Sequence, residues 1–257
     1  REDICGEIVE LGKWTAYGIG EEAVRASDQN EAKALLKWAL DSESKRNIDA
    51  MVDLAKSDRK VRVESSRLNT DHYLLCVENG TLDLRTGRLR PHAQSDLITK
   101  LAPVRFDPDV PCPRWLAFLD RIMAGKQDLI GFLKRATGSA LTGDVADHAL
   151  FFFHGSGRNG KGTFIEIILY ILGEYAITID IGLITVKRND DHPTGLTDLD
   201  GARFVATEEI EDGKRLAEAL VKKLTGGNRI KARRMHKKFY EFDPTHKLFL
   251  AANSKPE

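Results

Sequence analysis

The sequence predicts an α/β protein, a P-loop core on a parallel sheet, preceded by a smaller α+β and helical accessory region. Three observations carry this reading. From about residue 148, apolar strand-like runs alternate with helix-like runs, the order in which a chain builds a parallel sheet covered by helices. A glycine-rich loop, Gly155 to Thr163, lies between the first of those strands and the first of those helices. Before position 113 the pattern differs, with helical stripes followed by short strands joined by tight turns.

Residues from about 30 to 56 read as helix. Ala32, Leu35, Leu36, Ala39 and Leu40 recur at helical spacing, and Ile48, Met51, Val52 and Leu54 repeat the stripe. Tyr73–Val77 and Thr81–Leu84 are short strands. Asn79-Gly80 and Thr86-Gly87 supply the turns of a small β-meander that closes with Arg88-Leu89-Arg90. Asp107 to Pro113 holds three prolines in seven residues and marks a boundary. Trp115, Phe118, Leu119, Ile122 and Met123 then line one helix, and Leu129, Ile130, Leu133, Ala136, Ala140 and Leu141 a second. In the last part, Ala149–Phe153, Arg203–Thr207 and Lys247–Ala252 read as strands, with helices over 161–172 and 213–224. The division expected is an accessory domain over 1–112, a helical connector over 113–147 and the P-loop core over 148–257.

The loop Gly155, Ser156, Gly157, Arg158, Asn159, Gly160, Lys161, Gly162, Thr163 meets the spacing G-x-x-x-x-G-K. Glycines let backbone N–H groups turn inward on an anion, and the helix N-terminus adds its positive end. Lys161 stands where a P-loop lysine reaches the β- and γ-phosphates, so ATP is the expected ligand. The next position ordinarily carries Ser or Thr to bind Mg²⁺. Here it is Gly162, so Thr163 or a water supplies that ligand, or acidic residues elsewhere hold the metal.

Glu208 and Glu209 end the apolar strand Phe204–Thr207. Carboxylates at the C-terminal edge of such a strand sit where open α/β folds bind ligands. One is suited to hold Mg²⁺ and the other to orient or activate water. Asn253 follows the strand Leu248–Ala252 and is placed either to bond a γ-phosphate or the attacking water, or to cap a turn.

Residues 222–238 contain eight Lys or Arg and no Asp or Glu. The whole chain has 39 basic and 39 acidic residues among 257, so this segregation is local. Arg229, Lys231 and Arg233 alternate with Ile230 and Ala232 as on a strand, and Lys237 to Phe242 reads as the returning strand. Together with Arg234 and Lys238, and with His236, Phe239 and Tyr240 nearby, this hairpin suits a nucleic-acid backbone. A solvated basic face or a subunit contact is the competing reading.

Cys5, Cys76 and Cys112 are far apart and odd in number. They form neither a disulfide framework nor a metal motif, and fit a reducing compartment such as the cytoplasm. No apolar run approaches the length of a membrane span, so no membrane partner is expected. The first residue, Arg1, and the end at Glu257 directly after a strand-like run read as a piece of a longer polypeptide.

These motifs in this order resemble the superfamily-three helicases of the AAA+ class, and more closely the helicase part of phage and plasmid primases and of the poxvirus primase-helicase. Gly155 to Phe164 resembles the P-loop form of the phage branch, including the Gly after the lysine. Arg203–Glu209 resembles its Walker B strand, Ala219–Asn228 the motif that follows (with Asn228 where Asp is usual), and Leu248–Asn253 with Lys255-Pro256 its sensor-1 strand. Upstream, Val77–Leu84, Phe132–Gly138 and Leu141–Gly143 resemble the accessory domain of the family. The resemblance implies an ATP-hydrolysing, Mg²⁺-dependent ring, usually a hexamer, that translocates on single-stranded DNA in phage or plasmid replication in the host cell cytoplasm. It implies a primase or polymerase domain in the same longer chain. It also implies an arginine finger, either beyond Glu257 or one of Arg233 and Arg234. A DNA-loading and oligomerisation platform with a degenerate ATPase, and a P-loop kinase of a small substrate, are the alternatives. The basic hairpin argues against the kinase.

Overall fold

The structure is a computed structural model that describes residues 6–59, 61–155, 157–186, 193–207, 215–233 and 237–253. It divides into two compact units, one up to Leu68 and one from Asn69.

The first unit is helical: α1 (Glu7–Arg25), α2 (Gln29–Ser42) and α3 (Lys45–Ala55). Asp28 caps α2, its carboxylate accepting from the backbone N–H groups of Asn30 and Glu31. The helical stretch expected over 30–56 is two helices. It breaks where the Ser44 hydroxyl and the Asn47 side chain both donate to the carbonyl of Asp41, an alternative to continuing the helical ladder. The buried face of α1 carries Gly12, Ala16 and Ala23. Small residues there permit close helix approach, and a Cβ on Gly12 would lie 3.0 Å from Ile48 Cγ2.

The second unit opens with the antiparallel meander β1 (Leu74–Val77), β2 (Gly80–Asp83) and β3 (Arg88–Arg90), with Leu75 opposite Leu82 and Leu82 opposite Leu89. α4 (Pro113–Ile122) starts with Pro113 in its first turn, where the missing N–H costs nothing, and α5 (Gln127–Leu141) follows. The remaining elements are β4 (Leu150–His154), α6 (Lys161–Leu172), β5 (Ala176–Ile179), β6 (Phe204–Thr207), α7 (Glu218–Thr225), β7 (Ile230–Ala232), β8 (Tyr240–Phe242) and β9 (Lys247–Ala252).

The central sheet is parallel, in the order β4-β9-β6-β5. β9 therefore lies between the strand that enters the glycine loop and the strand that precedes Glu208. Side chains alternate across it with period two. Phe204, Ala206, Phe249 and Ala251 face one core with Phe164, Ile165 and Ile168 of α6, Leu119 of α4, Leu133 of α5, and Leu75 and Leu82 of the meander. Val205, Leu248, Leu250 and Ala252 face the other, with Leu199, Leu224, Ile230 and Phe242. The meander, α4 and α5 thus share one hydrophobic core with the parallel sheet.

Two elements differ from expectation. A fourth strand, β5, extends the sheet beyond the three expected. The helix expected over 213–224 begins at Glu218: the N–H of Val186 bonds the carbonyl of Arg215, and the N–H of Ala217 that of Ile184, so 215–217 are held extended. No helix among the described residues is long and apolar enough to cross a membrane.

Candidate functional site

β4 delivers the chain into the glycine loop, and the loop closes against the end of α4. Gly155 has φ +148°, and a Cβ there would lie 2.5 Å from Asn159 Nδ2. Gly160, which caps α6, has φ +89°, and its Cβ would lie 2.6 Å from Ile122 Cγ2. Gly155 requires glycine by conformation, and Gly160 by conformation and by space. Gly162 is different: nothing lies within 4 Å of its would-be Cβ. Thr163 is exposed on the first turn of α6.

Lys161 is the first residue of α6. Its ammonium donates to the carbonyl of Gly155 at 2.6 Å and to Oδ1 of Asn253 at 3.4 Å. The sheet register explains this meeting. His154 pairs with Ala252, so the residues that follow each strand emerge side by side. Gly155, Gly160, Lys161 and Asn253 are thereby gathered at the N-terminus of a twelve-residue helix, a donor set that fits a phosphate. Gly157 and Arg158 complete the described loop, and Arg158 adopts φ +64°. A cavity of about 420 Å³ adjoins the loop, bounded by Phe132, Phe151, Phe153, His154, Asn159 and Lys161. Sequence reasoning missed this cavity, because its walls are residue types that read as core.

Ser156, Glu208, Glu209 and Arg234 lie outside the described residues, as does His236. Among the described residues no group of three or more His, Cys, Asp or Glu is placed to hold a metal ion.

The basic segment forms the hairpin expected of it. β7 and β8 pair antiparallel, with Ile230 opposite Phe242, Lys231 opposite Glu241 and Ala232 opposite Tyr240. Ile230, Ala232 and Phe242 are buried, and Tyr240 packs against the same core. Lys231, Lys237, Lys238 and Phe239 are exposed, and Arg233 is half-buried. Arg229 is partly neutralised by Asp243 at 3.3 Å and Glu241 at 4.0 Å. Lys231 and Arg233 lie 5.1 and 4.9 Å from the ring centre of Phe239.

Sequence reasoning also missed the structural role of Arg203. Its side chain is buried, donates to the carbonyls of Leu141 and Leu74 and lies 4.6 Å over the ring of Tyr175. It ties the meander and the end of α5 to the root of β6.

Residues 3–124 match the family described as D5 N terminal like, and residues 153–257 match a family of unknown function. The chain is 28% identical over 195 residues to a protein of Acanthamoeba polyphaga mimivirus named "Putative helicase L207/L206", and 24% identical over 203 residues to "Putative helicase 121R" of Invertebrate iridescent virus 3. These alignments take in 74% and 75% of this chain but 20% and 22% of the relatives, so the chain spans about a fifth of their length. It is also similar to the apo structure of the NrS-1 C terminal region, with a TM-score of 0.43 and 15% identity over 59% of this chain and 34% of that one. Residues 3–124 are thus similar to the D5 N terminal like family, and both viral relatives carry the name of putative helicases.

Proposed function

We propose that this chain is the motor part of an ATP-dependent, superfamily-three DNA helicase that works in phage or plasmid replication and translocates as a ring on single-stranded DNA. The observation that carries this reading is the convergence of Lys161, the glycine loop and Asn253 at the start of α6. Lys161 exchanges its contact with the Gly155 carbonyl for the β- and γ-phosphates of ATP. The N–H groups of the loop and of the first turn of α6 hold the remaining phosphate oxygens. The aromatic wall of the adjoining cavity offers the nucleobase an apolar surface. A bound Mg²⁺ would supply neutralisation of phosphate charge. Glu208 and Glu209 are assigned to that metal and to the attacking water, with Thr163 as a further ligand. Asn253, at the tip of β9, touches Lys161 and is placed to register whether a γ-phosphate is present. The hairpin's Arg229, Lys231, Arg233, Arg234, Lys237 and Lys238 grip the DNA backbone by charge.

One observation favours a second reading, a DNA-loading and oligomerisation platform with a degenerate ATPase. The position after Lys161 offers no hydroxyl, and the neighbouring Thr163 is exposed. Strand separation by the full-length chain on a forked duplex distinguishes the two. The motor unwinds with ATP and fails to do so as Lys161→Ala. A platform binds the fork and leaves it paired in both cases.

A further inference from the structure

We infer that Phe239 is a base-stacking residue, which takes the face of a nucleobase of single-stranded DNA while Lys231 and Arg233 beside it hold the neighbouring phosphates. The inference rests on reading the β7–β8 hairpin as the DNA contact.

Phe239 and Tyr240 are adjacent aromatics with opposite fates. Tyr240 turns toward the core beneath the hairpin. Phe239 points outward and keeps 50% of its surface exposed, where a large apolar ring forfeits the burial that would otherwise favour it. The outward ring leaves an aromatic surface open on the basic ribbon.

The ring is also held. Lys231 on β7 and Arg233 just beyond it both lie within about 5 Å of its centre, close enough for the ring quadrupole to attract each cation. Those contacts gather two positive charges at one aromatic ring. Of the carboxylates nearby, Asp243 lies 3.3 Å and Glu241 4.0 Å from Arg229. Among the described residues neither Lys231 nor Arg233 forms an ion pair. An aromatic surface flanked by cations that have no ion pair among the described residues fits a nucleic-acid strand, since every base offers a π-face and every linkage a phosphate. Because stacking reads no hydrogen-bond pattern, the contact tolerates any base, as a residue on a translocating chain requires.

The test separates bases from phosphates. The full-length chain is titrated with oligothymidylate and with an abasic oligonucleotide carrying the same number of phosphates, across a series of salt concentrations. The wild type should bind oligothymidylate about tenfold or more tightly than the abasic strand. Phe239→Ala should bring the two affinities to within about twofold and leave the slope of log affinity against log salt unchanged. Phe239→Trp should keep the preference, with indole fluorescence that responds to oligothymidylate and not to the abasic strand. Lys237→Gln with Lys238→Gln should weaken both strands alike and flatten the salt slope. If Phe239→Ala leaves the preference intact, or weakens both strands equally, the stacking role is overturned while the hairpin's role as a DNA contact stands. If the double lysine variant changes neither affinity nor slope, the hairpin is not the DNA contact and both readings fall.

Discussion

The ammonium of Lys161 lies 3.4 Å from Oδ1 of Asn253, although the two residues are 92 positions apart. The contact arises because β9 inserts next to β4 in register, so that the residues leaving both strands meet at the head of α6. The lysine of the glycine loop and a polar strand-tip residue are thereby linked.

That link predicts a separation of binding from turnover. Asn253→Ala leaves Lys161 with its Gly155 contact and the loop intact, so ATP affinity should change by no more than severalfold. In the proposed role of Asn253, its loss should lower turnover roughly 10²-fold, the scale for removing one preorganised polar contact to developing charge. Equilibrium binding of an ATP analogue beside steady-state hydrolysis measures both.

Gly160 and Gly162 are two residues apart, yet they predict opposite responses. Gly160→Ala forces a side chain into a positive φ and onto Ile122, and should cost about 1–3 kcal/mol. Gly162→Ser meets open space and replaces a glycine within a helix, so it should be neutral or stabilising by about 0.5 kcal/mol. Urea unfolding of the two variants checks the contrast.

Arg203→Met should be strongly destabilising. It keeps much of the volume but leaves the carbonyls of Leu141 and Leu74 without their donor. Stranding buried acceptors in this way costs about 2–4 kcal/mol in total, which for a unit of this size lowers Tm by roughly 5–15 °C. Differential scanning calorimetry gives the value directly.

How much of this was legible in the sequence follows from the physics of each element. The helix at 161–172 and the strand at 247–252 are visible because each has a long apolar pattern and a clear start signal. β5 is not, since four residues at a sheet edge carry too little pattern to stand out. α1 escaped because its buried face is made of Gly12, Ala16 and Ala23, while Leu11, Trp14 and Tyr17 are exposed; a search for large apolar stripes looks at the wrong side. The glycine loop could be read from spacing alone. Its contact with Ile122 of α4, and the cavity behind it, depend on tertiary packing that no local window contains. Arg203 reads only as the first residue of a strand, because a buried arginine satisfied by carbonyls leaves no carboxylate signal in the sequence.

His246 predicts a pH dependence. It is buried, neither ring nitrogen has a hydrogen-bond partner among the described residues, and burial pulls its pKa down to about 4. Above pH 6.5 the imidazole is neutral in both folded and unfolded chains. As pH falls below 6.5 the unfolded chain takes up the proton first, so stability is lost until the folded pKa, about 4, is passed. The loss should amount to roughly 3 kcal/mol. Urea midpoints at pH 7 and pH 4.5 should fall further for the wild type than for His246→Leu.

The central claim is that the site formed by Lys161, the glycine loop and Asn253 drives a DNA-coupled motor. The most direct test is ATP hydrolysis by the full-length chain, with and without single-stranded DNA, for the wild type and for Lys161→Ala. This account predicts turnover that rises when DNA is added and is lost in the variant. Turnover that is absent in the wild type, or that survives in Lys161→Ala, would contradict it.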